Sequence, residues 1–264
     1  MRVQSVVGSL VVAGCLIGAG SQVMAADVET DAVQPPVVVV ETQAAVTMDG
    51  KLDEADWKRA PVQALSLLDS SVHLPDLSRT KILADPYEGG SAQFLLGEKF
   101  LYIGIAFEDH DIVAQVNKDQ TSLFSSGDVA EIFIKADNAP GYFELYASPL
   151  GNKTSFFFPS SAYLGLPDCQ SCPQMPGLAV AANVRGTVND FNDVDQGWTA
   201  EMAVPLSALK EKMGFDFASG QSWHILVSRY NYGYTMRAKQ FSSHPKLPQV
   251  NYHLIEYYSP VAFQ

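Results

Sequence analysis

Apolar and polar residues alternate with a period of two through most of the chain after residue 90. Alternation of this kind puts successive side chains on opposite faces of a strand, and the segments that show it are rich in β-branched and aromatic residues. The pattern predicts strands at 92–96, 100–108, 129–135, 142–148, 154–158, 178–188, 198–204, 222–230, 239–242 and 251–257. Turn residues separate these strands at short intervals, so we expect an all-β fold, an antiparallel two-sheet β-sandwich of jelly-roll or immunoglobulin-like type.

Only two short segments have a helical pattern, residues 53–59 and 206–212. Pro205 suits the first turn of the second helix, because an N–H is not needed there. Residues 36–40 read as an extended lead-in strand after a polar, flexible stretch at 26–35. We therefore expect a single domain over residues 36–264, a size that one hydrophobic core can support.

The N-terminus has the pattern of an export signal. Arg2 precedes an apolar run over residues 6–19, and the small-residue pattern at 23–25 predicts cleavage after Ala25. Residues 12–15 resemble a lipobox, so a lipid anchor at Cys15 is the alternative. No later apolar run has the length of a membrane span. We expect a periplasmic or secreted protein, with a lipoprotein as the second possibility.

The chain is acidic, with a formal net charge of −12. Cleavage after Ala25 would remove Arg2 and make the mature chain slightly more negative. An acidic chain repels phosphate backbones, so nucleic acid is not an expected partner. The acidity fits a solvated surface or sites for divalent cations.

Cys169 and Cys172 form a Cys-x-x-Cys in a proline-flanked loop. No second pair and no directly following histidine are present, which disfavours zinc and covalently attached haem. In an oxidising compartment, we expect a short-range disulfide.

No catalytic motif stands out. The five histidines form no His-Glu-x-x-His motif, and the chain has no Gly-x-Ser-x-Gly elbow and no glycine-rich phosphate loop. Paired carboxylates such as Glu108 with Asp109, or Glu131 with Glu144, have the residue types that glycoside hydrolysis needs. Acidic residues are frequent enough here to pair by chance, so we expect no enzyme and no organic cofactor.

Four short motifs follow one another along the chain. Residues 49–57 read DGKLDEADW, 100–109 read FLYIGIAFED, 128–134 read DVAEIFI and 197–205 read GWTAEMAVP. In this order and spacing they resemble the family 9 carbohydrate-binding modules and their stand-alone relatives in the DOMON-like superfamily, over about residues 46–257. The resemblance implies a sandwich fold, structural calcium in some members, and a slot in which two aromatic rings hold an oligo- or polysaccharide.

The resemblance also assigns a binding site. Phe124 matches the first aromatic platform, and Phe241, in a late Phe-Ser-Ser-His-Pro segment, matches the second. The polar residues that it implies are Glu131, Glu144, Tyr146, Arg229 and Asn231. Sugar rings suit such a slot because their C–H faces are apolar, whereas their hydroxyls need hydrogen-bond partners.

Calcium has two candidate sites. Asp190, Asp193 and Asp195 lie close together in one loop, although their spacing is not that of an EF-hand. The same loop also fits an Asx-rich turn. A second set comprises Asp109, Asp111 and Asp128.

Two other functions remain open from the sequence. Haem-binding electron-transfer domains share the expected fold, and His244 or His253 with Met175, Met202 or Met236 are candidate axial ligands. The phenylalanines at the tryptophan positions of the slot also allow an envelope structural or assembly protein that has lost the sugar site.

Overall fold

The structure, a computed structural model, describes residues 34–69, 85–168 and 174–264. The predicted signal peptide at 1–25, the lipobox Cys15 and the predicted disulfide between Cys169 and Cys172 lie outside the described residues. In the part of the chain that is described, no helix is long and apolar enough to cross a membrane.

The regular secondary structure of the described residues is mostly β, with one α-helix, α1 (Leu206–Met213), and 3₁₀ turns at Ala55–Lys58, Leu123–Ser125 and Ile255–Tyr257. The strands are β1 (Val37–Glu41), β2 (Gln63–Ala64), β3 (Ser66–Leu67), β4 (Gly90–Leu96), β5 (Phe100–Phe107), β6 (Val129–Ala136), β7 (Tyr142–Ala147), β8 (Lys153–Phe158), β9 (Ala179–Arg185), β10 (Gly197–Pro205), β11 (Trp223–Asn231), β12 (Gln240–His244) and β13 (Ser259–Phe263).

The strands form one connected, 13-stranded mixed sheet, and its main path runs β8-β7-β6-β11-β13-β1-β4-β5-β10-β9. Strand β1 pairs in parallel with both β13 and β4, whereas the other pairs are antiparallel. The predicted antiparallel two-sheet sandwich is therefore wrong. The sheet is instead nearly closed and barrel-like, because β1 and β13 join the two halves that would otherwise be separate sheets.

The two halves of this sheet face each other across the main hydrophobic core. Phe94 and Ile103 come from β4 and β5, and Ile132, Leu145 and Ile225 come from β6, β7 and β11, all at 0 % exposure. Alternation explains the arrangement, since every second residue of these strands points inward. This core fills the interior of the barrel-like sheet.

Strands β6, β7, β8 and β11 are covered on their other face as well. There a second group of buried residues, here called the outer cluster, is formed by side chains of these strands together with side chains of the segment 245–258. Its buried members are Leu68, Leu123, Val129, Phe133, Tyr142, Tyr146, Phe156, Phe158, Leu226, Leu247, Tyr252 and Tyr258. Because both faces are covered, all six residues of β7 are buried, with Phe143, Leu145 and Ala147 in the main core and Tyr142 and Tyr146 in the outer cluster.

The first and fourth sequence motifs touch each other. Glu201 on β10 accepts hydrogen bonds from the backbone N–H groups of Asp49 (3.0 Å) and Gly50 (2.9 Å), and from Trp57 Nε1 (3.3 Å). Burial raises the pKa of Glu201 to about 7. These motif residues therefore hold the N-terminal segment against the sheet.

The sequence located most of the elements, and the exceptions have physical causes. Helix α1 is confirmed, and it ends at Gly214, whose φ of 79° is the left-handed conformation typical of a helix C-terminus. The predicted helix at 53–59 is only a 3₁₀ turn at Ala55–Lys58. The predicted strand at 251–257 is wrong, because its tyrosines cover the outer cluster from a loop and a 3₁₀ turn.

Candidate functional site

The register of three strands decides which predicted site residues share a face. Glu131 lies opposite Tyr146 on β7 and Ser228 on β11, and Tyr230 lies opposite Phe241 on β12. These side chains share the outer face of the sheet. Arg229 alternates with Ser228 and Tyr230, so it points to the opposite face.

A row of three half-buried aromatic rings occupies the outer face at one end of these strands. The Tyr230 ring centroid is 5.7 Å from that of Phe124 and 5.1 Å from that of Phe241. The two predicted platforms, Phe124 and Phe241, are thus brought to the same place, with Tyr230 between them. Tyr232 donates a hydrogen bond from its hydroxyl to the Phe124 carbonyl, which fixes the loop that carries Phe124.

Two carboxyl groups lie buried next to this aromatic row. Glu131 and Glu144 are each 2 % exposed, and the Tyr146 hydroxyl donates a hydrogen bond to Glu144 Oε1. The Ser228 hydroxyl donates to Glu131 Oε2 at 3.3 Å. Burial raises the pKa of Glu144 to about 7 and that of Glu131 well above its usual range, the latter with a contribution from the charge of Glu144.

Glu144 also lies beside a histidine that the sequence did not assign to this site. His253 Nε2 is 3.9 Å from Glu144 Oε2, which has no hydrogen-bond partner among the described residues. His253 Nδ1 and the Tyr142 hydroxyl are hydrogen-bonded at 2.9 Å. Glu131, Glu144 and Tyr146 thus form a buried polar group under aromatic rings, and none of the three presents an open hydrogen-bonding surface.

Arg229 and Asn231 do not join this group. The Arg229 guanidinium is fully buried, bonds Asp109 Oδ2 (2.9 Å) and the Glu108 carbonyl (2.8 Å), and lies 4.5 Å from the Phe107 ring centroid. Asn231 Nδ2 donates to Glu88 Oε2 at 2.7 Å. Both residues connect β11 to the loops at 85–89 and 108–111.

The first predicted calcium site has an arrangement that does not suit a shared ion. Asp195 is buried and accepts hydrogen bonds from the N–H groups of Ile112 (2.8 Å) and Thr187 (2.7 Å), whereas Asp190 and Asp193 are exposed. Asp190 accepts from Asn192, as in an Asx turn. Among the described residues, no group of three His, Cys, Asp or Glu side chains is suited to hold a metal ion.

The second predicted calcium set is buried, and its carboxylate oxygens accept hydrogen bonds within the protein, except for Asp111 Oδ1, which has no partner among the described residues. Asp109 binds Arg229, and Asp128 accepts from the N–H groups of Val113 (2.7 Å) and Tyr232 (2.6 Å). Burial, followed by the charge of Asp109, raises the pKa of Asp128 well above its usual range. A calcium requirement therefore stays a prediction from the resemblance.

The alternative chemistries receive no support from this geometry. His253 packs on the outer face, whereas Met175 and Met202 belong to the central core, so the sheet separates these candidate haem ligands. A pair of glycosidase carboxyls has to flank a bound substrate. Glu131 and Glu144 are covered by the aromatic layer instead.

The sequence missed Tyr230, Tyr252 and His253 as members of this region. Tyr230 carried a usable signal, since strand alternation puts it on the same face as Ser228 and Glu131. Tyr252 and His253 had no such signal, because they belong to the loop that crosses the outer face. The Tyr252 hydroxyl donates to the Arg229 carbonyl at 2.9 Å and holds this loop in place.

The fold is that of the family 9 carbohydrate-binding modules, as the four motifs predicted. A protein from Bacteroides uniformis described as carbohydrate-binding has a TM-score of 0.65 at 12 % identity, over 87 % of this chain and 99 % of that chain. A family 9 module from Caldicellulosiruptor kristjanssonii in complex with cellotriose has a TM-score of 0.55 at 10 % identity, over 86 % of this chain and 93 % of that chain.

A second structure of a family 9 module from Caldicellulosiruptor kristjanssonii contains glucose, and its TM-score is 0.53 at 10 % identity, over 86 % of this chain and 95 % of that chain. No protein-family model matches this chain, and no curated protein matches it in sequence. At these identities the likeness establishes the fold, and the ligand has to be argued from the residues themselves.

Proposed function

We propose that this chain is an exported carbohydrate-binding protein without catalytic activity. The observation that carries the proposal is the row formed by Phe124, Tyr230 and Phe241 on a fold whose solved neighbours include modules with glucose and cellotriose bound. Half-buried aromatic rings offer an apolar surface to the C–H face of a sugar ring. Polar groups at the rim of the row then contact the hydroxyls.

The rim of the row carries suitable polar groups. Lys239 Nζ lies 4.5 Å from the Tyr232 ring centroid and donates to the Tyr232 hydroxyl at 3.0 Å, so a cation and a phenol stand beside Phe124. Glu131 and Glu144 support the row from below, and their burial disfavours acid–base catalysis on a substrate. Arg229 and Asn231 hold loops on the other face.

Export is proposed from the sequence alone. The positively charged start, the apolar run and the small residues before position 26 fit a cleaved signal, with lipid attachment at Cys15 as the alternative. Mass spectrometry of the mature N-terminus distinguishes the two, because an acylated Cys15 has a different mass from an N-terminus at Ala26. An uncleaved Met1 would contradict both.

The binding proposal is tested by a glycan array with and without calcium, followed by calorimetry with each sugar that binds. Phe124→Ala and Phe241→Ala should each weaken binding by about 1–3 kcal/mol, the cost of removing a stacking anchor. Phe191→Ala is the matched control, since this phenylalanine is 57 % exposed and lies outside the row. Calcium should change the affinity only if the predicted site exists.

Three results would count against the proposal. Binding that is equal in all three phenylalanine variants would remove the row from the site. An absence of binding to any glycan would favour the envelope-assembly alternative. Release of free sugar from a bound glycan during a long incubation would contradict the absence of catalysis.

A further inference from the structure

A cavity of about 330 Å³ opens at the other end of the outer cluster, away from the row of Phe124, Tyr230 and Phe241. It lies between the start of β7, the end of β8, the loop 159–168 and the segment that carries His253. Tyr142 borders this cavity, and Tyr146 contacts Phe124. Four residues along one strand separate them by roughly 13 Å, so the cavity is distinct from the row.

The cavity has a buried aromatic floor and one accessible aromatic wall. Tyr142 and Phe158 stack at 4.8 Å with an interplanar angle of 3°, and both are buried. Tyr163 meets Phe158 edge-on at 6.2 Å and is itself 43 % exposed. Tyr163 is therefore accessible to a ligand beside the buried stack of Tyr142 and Phe158.

His253 supplies a fixed polar group to the same cavity. Its Nδ1 is hydrogen-bonded to the Tyr142 hydroxyl at 2.9 Å, which orients the imidazole, and 42 % of its side chain is accessible. Its Nε2 is 3.9 Å from Glu144 Oε2, a buried oxygen without a hydrogen-bond partner in the described part of the chain. That separation is too long for a direct hydrogen bond, so the imidazole keeps hydrogen-bonding capacity for a ligand.

We propose that this cavity is a second, independent binding site that takes one pyranose unit, stacked on Tyr163 and hydrogen-bonded to His253. A ring with an apolar C–H face fits the tyrosine wall, and a hydroxyl fits the imidazole because it both donates and accepts. The volume is at the lower end of the range for small-molecule sites and suits a single ring. The choice of a sugar rests on the proposed function, whereas the position of the site does not.

The test is an NMR titration of the full chain with glucose, galactose, mannose, N-acetylglucosamine and cellotriose. The chain has five histidines, so the imidazole signal of His253 is assignable by its loss in a His253→Gln variant. We expect this signal to shift with at least one of these sugars. The shift should persist in the Phe241→Ala variant, in which the row of three rings is disrupted.

Tyr163→Ala should raise the dissociation constant measured at the His253 signal about fivefold or more, as expected for the loss of a stacking anchor. Tyr234→Ala is the matched control, because it removes a tyrosine that is 53 % exposed and lies outside the cavity. Tyr163 is exposed, so its removal should leave the dispersion of the amide spectrum unchanged.

A His253 signal that no sugar shifts overturns the second site, and so does an affinity that Tyr163→Ala leaves unchanged. A shift that disappears in Phe241→Ala also overturns it, because the signal would then report binding at the row. The signals of Phe124, Tyr230 and Phe241 report the proposed function separately. If they move while His253 does not, the proposed function stands and only the second site fails.

Discussion

At the scale of single residues, Glu144 lies in an environment in which an ionised carboxylate destabilises the folded protein. It is 2 % exposed, one oxygen accepts from the Tyr146 hydroxyl, and the other has no hydrogen-bond partner in the described part of the chain. Ionising such a group without a cation is unfavourable, and this is why burial raises its pKa to about 7. The native state therefore binds a proton that the unfolded chain releases.

This difference predicts a pH dependence of stability with a definite sign. The folded pKa of Glu144 lies above its ordinary value of 4.5, so the folded state holds the proton more tightly than the unfolded chain. The stabilisation that this gives the folded state is fully present below pH 4.5 and is lost as the pH rises to about 7. We expect the free energy of unfolding, measured in urea, to fall from pH 5 to pH 8. Glu144→Gln should reduce this fall by on the order of 3 kcal/mol.

The neighbouring titratable groups make the variant comparison necessary. Burial also raises the pKa of Glu131 and lowers that of His253, and these two changes act in opposite directions as the pH falls. Subtracting the variant from the wild-type curve removes most of their contributions. Glu211→Gln, on the exposed side of α1, is the control and should leave the pH profile unchanged. An identical profile for Glu144→Gln would mean that Glu144 is ionised in the folded protein.

At the scale of elements, the turn at Asp49-Gly50 connects the first motif to β9 and β10. Gly50 has a φ of 80°, and a Cβ at this position would overlap the backbone of Ala182 on β9. The turn is held by the two N–H groups that donate to Glu201 Oε2. Both the left-handed backbone and the close approach therefore require glycine.

Gly50→Ala should destabilise the protein by more than backbone strain alone explains. Gly220 is the matched control, because its φ is 87° and a Cβ there would meet nothing within 4 Å. We expect Gly220→Ala to cost about 1 kcal/mol and Gly50→Ala about 2–4 kcal/mol in the free energy of unfolding. Equal costs would show that the close approach to Ala182 adds nothing to the cost of the left-handed backbone.

Most strands were predictable because their pattern is local. Residues 100–107 alternate because one face of β5 is more deeply buried than the other, and 129–136 is an apolar run because both faces of β6 are buried. β13 was not predictable in this way: Pro260 cannot donate to a ladder, and its short sequence alternates poorly. The tyrosines at 252, 257 and 258 gave a strand-like pattern, but they cover a sheet face from outside.

The candidate site was predictable in part for the same reason. Phe124 and Phe241 were assigned from motifs. The register of β11 and β12 brings Phe241 beside Tyr230, and the 3₁₀ turn Leu123–Ser125 brings Phe124 to the same ring. Arg229 was grouped with Glu131 although strand parity separates them. The contacts of His253 depend on how a loop crosses the sheet, and residue order alone does not contain that information.

At the scale of the whole molecule, β13 decides whether the protein has one sheet or two. It pairs with β11 through Ser259 and Pro260, and with β1 through Val261, Ala262 and Phe263. The proline lies where the strand passes from one partner to the other, a place where a missing N–H is tolerated. Strand pairing between residues this distant in sequence depends on the assembled core. Local sequence patterns do not contain it, and this is why they predicted two separate sheets.

If β13 couples the two halves, loosening it should affect both. Gln264 N–H donates to the Val39 carbonyl at 2.9 Å, and Ala262 has the same strand parity, so its N–H also faces β1. Ala262→Pro removes that donor and should lower the free energy of unfolding by about 1–3 kcal/mol. Pro260→Ala, in the same strand, should change it by less than about 1 kcal/mol.

Hydrogen exchange then shows whether Ala262→Pro loosens β13 alone or also the strands on both sides of it. We expect Ala262→Pro to lower the protection of amides in β1 and β11 together, because each loses an ordered neighbour when β13 loosens. The row of Phe124, Tyr230 and Phe241 would be affected too, since Tyr230 lies on β11 and its position depends on the pairing of that strand. Faster exchange confined to 259–264 would mean that the central core alone holds the halves together, and that the barrel-like closure adds little to the stability of the row.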